Sequence, residues 1–355
     1  MVITIKIGSN VLTRDDGSLN KARMAHLVSE ISALREQGHQ ILLVSSGAVA
    51  AGRALVAHPK QHDMVSQRQL WAAIGQAQLI NIYSDLFDIY GLKCAQLLVT
   101  KDDFRDRKHY LNLTNCIEAL LDDGIVPIIN ENDAISVTEL MFTDNDELSA
   151  MVAAMSDSSS LFILTNVDGI YDGNPADEGS EVIKTVKFRD TGIEDNIQTS
   201  KSNFGRGGMV TKYNTARKMA SQGIEVVIAN GMTEGILVSL LEDADTVCTR
   251  FKARKKQSPV KKWIAQSEGF EKGTIVIDKR AMDALAEPRA ISLLPVGVVG
   301  VRGDFHKNDI IRIESEEGQR IGLGRTTFAS DKLRDIMGKN GEHCVVHYDY
   351  LFVDI

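Results

Sequence analysis

Two lysines far apart in the chain each sit among glycines. Lys6 belongs to Lys6-Ile7-Gly8-Ser9, and Lys212 ends the run Gly205-Arg206-Gly207-Gly208-Met209-Val210-Thr211-Lys212. Glycine lets a phosphate approach bare backbone N–H groups, and a nearby ammonium supplies the balancing charge. The second run is neither a Walker A loop nor a GxGxxG fingerprint, because its spacing fits neither. A plain flexible loop would have the same composition. Ser45-Ser46-Gly47-Ala48 follows an apolar run and opens a helical stretch, so its N–H groups form a third cradle for an anion. A simple turn would use the same residues.

Two short polar clusters lie between these lysines. Asn130-Glu131-Asn132-Asp133 follows an apolar run, and Asp144-Asn145-Asp146 precedes a helical one. Together they hold carboxylates for an ammonium and amides for carboxylates, a set suited to a zwitterion. Asp144 or Asn145 could instead cap the helix. A cap would account for one residue of the set and leave the others unexplained.

The elements that must carry these groups follow from periodicity. Strands are expected at Val2–Ile7, Ile41–Val44, Gln96–Val99, Ile125–Ile129, Leu161–Leu164 and Val226–Ala229. Between them run amphipathic stretches such as Lys21–Gln37, Gln67–Tyr90 and Thr211–Gln222. Strand and helix in alternation predict an α/β fold, an open αβα sandwich on a mainly parallel sheet. In such sheets ligands bind beyond the carboxyl ends of the strands, where the polar clusters fall. Near residue 250 the pattern changes. Phe251 to Lys262 carries six Lys or Arg and no acid; it reads as a solvated linker or, alternatively, an anion contact. Short β-like runs between glycines follow, at Thr274–Ile277, Val296–Val301, Ile310–Ile313, Ile321–Leu323 and Cys344–Tyr348. The expected division is an α/β domain over 1–250, a basic linker over 251–270 and a small barrel-like β domain over 271–355.

Composition excludes several classes. A chain of 355 residues with 43% hydrophobic and 25% charged residues is that of a water-soluble globular protein. Its first residues are apolar for too short a run to act as a signal peptide, and no segment is apolar enough to span a bilayer, so a cytoplasmic location is expected. Net charge is −8, which does not suit a protein that coats nucleic acid. Cys94, Cys116, Cys248 and Cys344 form no CxxC pair and read as free thiols. His58/His62 and His343/His347 are spaced by four, but Pro59 interrupts the first pair as a helix face, and the second lies in a β-like run; no protein-held metal is expected.

In order, Lys6-Ile-Gly-Ser, Val44-Ser-Ser-Gly-Ala-Val-Ala-Ala-Gly-Arg53, Ile129-Asn-Glu-Asn-Asp133, Asp144-Asn-Asp-Glu-Leu-Ser-Ala150, Thr165-Asn-Val-Asp-Gly-Ile-Tyr171 and Gly207-Gly-Met-Val-Thr-Lys212 resemble the glutamate 5-kinase family. That family belongs to the amino acid kinase superfamily and carries a C-terminal β-barrel called a PUA domain. The likeness spans essentially the whole length. It implies transfer of the γ-phosphate of ATP to the side-chain carboxylate of L-glutamate, the first step toward proline, with inhibition by proline. By the resemblance, Lys6, Lys212 and Asp146 would be catalytic, the two lysines flanking the transferred phosphoryl group and Asp146 holding both ammonium groups in place, and Ser46, Asn130, Asp133, Asp144 and Asn145 would bind glutamate. Lys6, Thr165, Asn166 and the run Arg206, Gly207, Gly208, Met209, Val210, Thr211 and Lys212 would bind ATP. Mg²⁺ would be held mainly by ATP phosphates, and a homodimer or homotetramer is implied. Two positions depart from the family pattern. Asn166 stands where an Asp is usual, and Arg206 stands where a small residue is usual. Another amino acid or carbamate kinase on the same fold, and a catalytically silent sensor, are the competing readings. RNA binding through the β domain is not expected, because residues 271–355 carry 12 Lys/Arg against 14 Asp/Glu.

Overall fold

The computed structural model describes the chain except residues 57–62, 137–141, 143, 176, 178, 188–189, 191–192, 194–207, 243–244, 255–256, 288, 341–342 and 354–355. It divides into two compact units, Met1–Lys256 and Gln257–Ile355.

The first unit is built on an eight-stranded sheet. Its strands are β1 (Val2–Ile7), β2 (Gln40–Ser45), β3 (Cys94–Val99), β4 (Val126–Glu131), β5 (Ser160–Thr165), β6 (Thr185–Val186), β7 (Glu225–Asn230) and β8 (Cys248–Phe251). They lie in the order β3-β4-β2-β1-β5-β7-β8-β6, and every neighbouring pair is parallel except β7–β8. The central strands are buried almost throughout, because helices cover both faces and leave no side for polar alternation. Successive residues feed opposite cores. Phe162 and Leu164 join one cluster with Ile5, Leu43 and Leu27, whereas Leu161 and Ile163 join another with Ala153, Tyr213 and Met219. The predicted αβα sandwich is therefore the fold found.

Helices relevant to the site are α1 (Ser9–Leu12), α2 (Lys21–Glu36), α3 (Ala48–Leu55), α4 (Met64–Asp88), α5 (Lys101–Arg105), α6 (Arg107–Asp122), α7 (Asn145–Met155) and α8 (Met209–Ser221). Two glycines let α3 and α4 touch backbone to backbone. A Cβ on Gly75 would lie 1.8 Å from the Ala48 carbonyl oxygen, and one on Gly52 would lie 1.9 Å from that of Trp71. Strands β6 and β8 and helices α5 and α6 were not foreseen. The β8 run, Cys248-Thr-Arg-Phe251, is too short to read by periodicity, and its antiparallel pairing with β7 depends on contacts remote in sequence.

The second unit holds a separate five-stranded sheet, antiparallel except for one pair, in which β9 (Gly273–Ile277), β10 (Val298–Arg302), β11 (Ile310–Ser315), β12 (Arg320–Thr326) and β13 (Val346–Val353) lie in the order β10-β9-β11-β12-β13. It has its own core around Ile275, Ile311, Ile313 and Leu333. Part of the stretch expected as a solvated linker is helical, since Pro259–Gln266 forms a helix capped by Ser258. Proline is preorganised for the first helical position, so Pro259 begins this helix.

Candidate active site

Parallel pairing in register brings the carboxyl ends of β1, β2, β4, β5 and β7 to one edge of the sheet. Ile7 faces Ser45 on one side and Leu164 on the other, Val44 faces Ile129, and Thr165 faces Asn230. A cleft of about 1120 Å³ opens there, lined by residues of the Lys6, Ser46, Asn130 and Asp144 segments together with Thr165 and Lys212.

At its floor, Asp146 from the first turn of α7 is fully buried. Its carboxylate takes Lys6 Nζ at 2.7 Å and Lys212 Nζ at 2.9 Å, one lysine on each oxygen. Burial works to raise this carboxyl, but the two ammonium groups outweigh it and hold it below the usual carboxylate range. Lys6 is within β1, and its strand neighbours Ile5 and Ile7 point into the opposite core; Lys212 lies in the first turn of α8. The two lysines noticed first in the sequence thus share one partner.

The polar clusters converge beside them. Asp144 does cap α7, accepting from the N–H groups of Asp146 and Glu147 at 3.0 Å each, and its second oxygen accepts from Thr211 Oγ1 at 3.1 Å. Burial, and next the charge of Asp146, push its carboxyl above the usual value. The cap reading therefore holds for Asp144, and the same side chain links α7 to α8. Asn145 Nδ2 donates to Ser46 Oγ at 2.9 Å and Asn130 Oδ1 at 3.1 Å, while Asn130 Nδ2 donates to Gln76 Oε1 at 2.9 Å. Gly47, in the left-handed region with φ of 103°, makes the turn from β2 into α3 and leaves Ser46 on the cleft wall.

Asp133 is held by Arg68 of α4, with Nη2 at 2.7 Å from its Oδ1. Glu131 lies behind, buried, accepting from the Phe142 N–H at 3.0 Å. Burial, then the charge of Asp133, push the Glu131 carboxyl up to about 7. Phe142 itself packs edge-on to Phe104 of α5 with centroids 5.8 Å apart, and Lys101 sits 5.7 Å from its centroid.

Of the residues expected to bind nucleotide, Lys6, Thr165 and Lys212 line the cleft. Thr165 Oγ1 lies 3.4 Å from Asn166 Oδ1, and Asn166 is exposed beyond the end of β5. Gly208 opens α8, with Met209, Val210 and Thr211 in its first turn. Arg206 and Gly207 lie outside the described residues. Arg68 and Glu131, which line the cleft, and Gln76, which holds Asn130, are among the residues to which the sequence assigns no individual role. Arg68 had a signal, being the only charged residue between Asp63 and Asp85. Among the described residues, no three His, Cys, Asp or Glu side chains gather as a metal site, and no helix is long and apolar enough to cross a membrane.

A mainly parallel sheet with two lysines on one buried aspartate, beside a cleft at the strand ends, defines a phosphotransferase-like α/β protein. The amino acid kinase family profile matches residues 1–230, and the PUA domain profile matches residues 273–345. The glutamate 5-kinase of Bacteroides thetaiotaomicron is 51% identical over 354 residues, 99% of this chain and 98% of that protein. That of Chlorobaculum tepidum is 48% identical over 352 residues, covering 99% and 97%. Among solved structures, carbamate kinase from Giardia lamblia bound to AMP-PNP superposes with a TM-score of 0.53 at 16% identity, covering 71% of this chain and 98% of that one. Such a distant likeness establishes the fold alone. The chain belongs to the amino acid kinase family, among the glutamate 5-kinases, and carries a PUA domain.

Proposed function

We propose that the protein transfers the γ-phosphate of ATP to the side-chain carboxylate of L-glutamate, giving an acyl phosphate and ADP. The observation that carries this reading is the buried Asp146 with Lys6 and Lys212 on its two oxygens. The acceptor, with a reference pKa of about 4.3, is already ionised near neutrality and needs no general base. The difficulty is repulsion between an anionic nucleophile and an anionic triphosphate. Two fixed ammonium groups oppose it as negative charge spreads over the transferred phosphoryl oxygens. Asp146 keeps both amines aimed, so little reorganisation accompanies transfer. The Ser46, Asn130, Asp133 and Asn145 cluster would hold glutamate and the Thr165–Asn166 and Arg206–Lys212 segments ATP, with Asp144 tying the two halves through Thr211.

Mg²⁺ would arrive on the nucleotide phosphates and neutralise part of their charge. The lysines and backbone amides of the cleft suit a metal–nucleotide complex, and no carboxylate cluster of the described residues competes for the ion. Inhibition by proline, assembly as a homo-oligomer and a cytoplasmic location belong to the same proposal and rest on the family resemblance.

The test is release of ADP from Mg-ATP with L-glutamate, together with trapping of the labile product by hydroxylamine. Glutamate-dependent ADP and hydroxamate in equal amounts are expected. ADP release without hydroxamate, or indifference to glutamate among several amino acids and carbamate, would overturn the reading.

A further inference from the structure

We propose that Arg68 determines specificity by binding the substrate carboxylate that does not receive phosphate. This rests on the glutamate reading and assigns the end of the substrate remote from the chemistry. Glutamate brings two carboxylates and one ammonium. Its reacting carboxylate is matched by Lys6 and Lys212, and the other shares a carbon with the ammonium. An anion and a cation in the protein must therefore stand next to each other to meet that carbon's two charged groups.

Arg68 and Asp133 are such a pair, 2.7 Å apart on the cleft wall. A zwitterion laid against them completes an alternating arrangement of four charges, with the ammonium on Asp133 and the carboxylate on the guanidinium. One detail favours Arg68 as a ligand-binding group beyond its ion pair: its side chain lines the cleft and retains 35% exposure. Among the described residues lining the cleft, the cations are Lys6, Arg53, Arg68 and Lys212. The two lysines are taken by Asp146, and Arg53 is exposed, 5.8 Å from the Trp71 ring centroid. Arg68 is the cation joined to the Asn130–Asp133 cluster.

Arg68→Ala and Arg68→Lys, assayed with L-glutamate and with its α-carboxamide as a competitive inhibitor, test this. In Arg68→Ala the KM for glutamate is expected to rise roughly 10- to 100-fold, as for loss of a charge-assisted hydrogen bond. The KM for ATP and the inhibition constant of the neutral α-carboxamide should stay within about threefold, since neither engages the guanidinium charge. Arg68→Lys should recover part of the glutamate affinity. A wild-type KM for glutamate in Arg68→Ala overturns the proposal. So does a parallel rise for glutamate and the α-carboxamide, which would make Arg68 only a support for Asp133. Absence of glutamate phosphorylation by the wild-type protein would instead sink the proposed function itself.

Discussion

Asp146 concentrates the electrostatics of the site in one side chain. Burying a lone carboxylate would cost several kcal/mol, and here two lysines offset that cost. Either lysine removed leaves the other in its ion pair but takes away half the charge facing a migrating phosphoryl. Lys212→Ala is expected to lower glutamate-dependent turnover on the order of 10²–10³-fold, with the circular dichroism of the wild type retained. Turnover within tenfold of wild type would remove Lys212 from the chemistry. Glu131 makes a prediction of a different kind. Its carboxyl is raised from 4.5 to about 7, because burial and Asp133 disfavour its charge, while Phe142, Arg68 and Lys101 only partly compensate. The folded protein therefore holds this proton more tightly than the unfolded chain does. Stability from it is complete below about pH 4.5 and is lost as pH rises through 7, by at most about 3 kcal/mol. Glu131→Gln keeps the acceptor for Phe142 and cannot ionise. Urea unfolding should show the variant gaining on wild type by roughly 1–3 kcal/mol between about pH 5 and about pH 8. Equal dependence on pH in the two proteins would contradict this account of the residue.

At the scale of elements, the cleft depends on how closely α3 and α4 pack. Helix α3 follows Ser46 after the single turn residue Gly47, and α4 carries Arg68 and Gln76, so a shift between the helices moves both walls of the cluster. Gly75 meets the Ala48 carbonyl, a backbone atom with no rotamer to change. Gly75→Ala is expected to cost more than about 3 kcal/mol, read as a lowered midpoint in thermal or urea unfolding. Unchanged stability would mean that the helices can separate without loss. The Asp144 cap works similarly at the start of α7. It fixes the turn that carries Asp146 and joins it through Thr211 to the turn that carries Lys212.

For the molecule as a whole, every residue of the candidate site lies within Met1–Lys256, and the remaining residues build a second core of their own. A chain ending at Lys256 is expected to fold and to keep glutamate-dependent ADP release within about tenfold of the full protein, because the described residues of the sheet and of the cleft lining all precede it. Loss of activity with a preserved circular dichroism spectrum would show that the second unit contributes to catalysis.

The main strands and helices, though not β6, β8, α5 or α6, were legible in the sequence because buried strands and amphipathic helices impose their own periods on their residues. Lys6, Lys212 and the two polar clusters were legible too, since glycine-flanked lysines and carboxylate–amide clusters announce an anionic or zwitterionic ligand by composition. What periodicity and composition did not announce was pairing. That Lys6 and Lys212 share Asp146 was implied by the family resemblance alone, and that a cation from α4 stands on Asp133 and that Glu131 is pressed into a buried position are facts about residues remote in sequence. Local sequence fixes a side chain's chemistry and the face it points from. Which charges meet, and how far water is removed from them, is decided by the parallel register of the sheet and the packing of helices over it, which arise only when the whole domain folds.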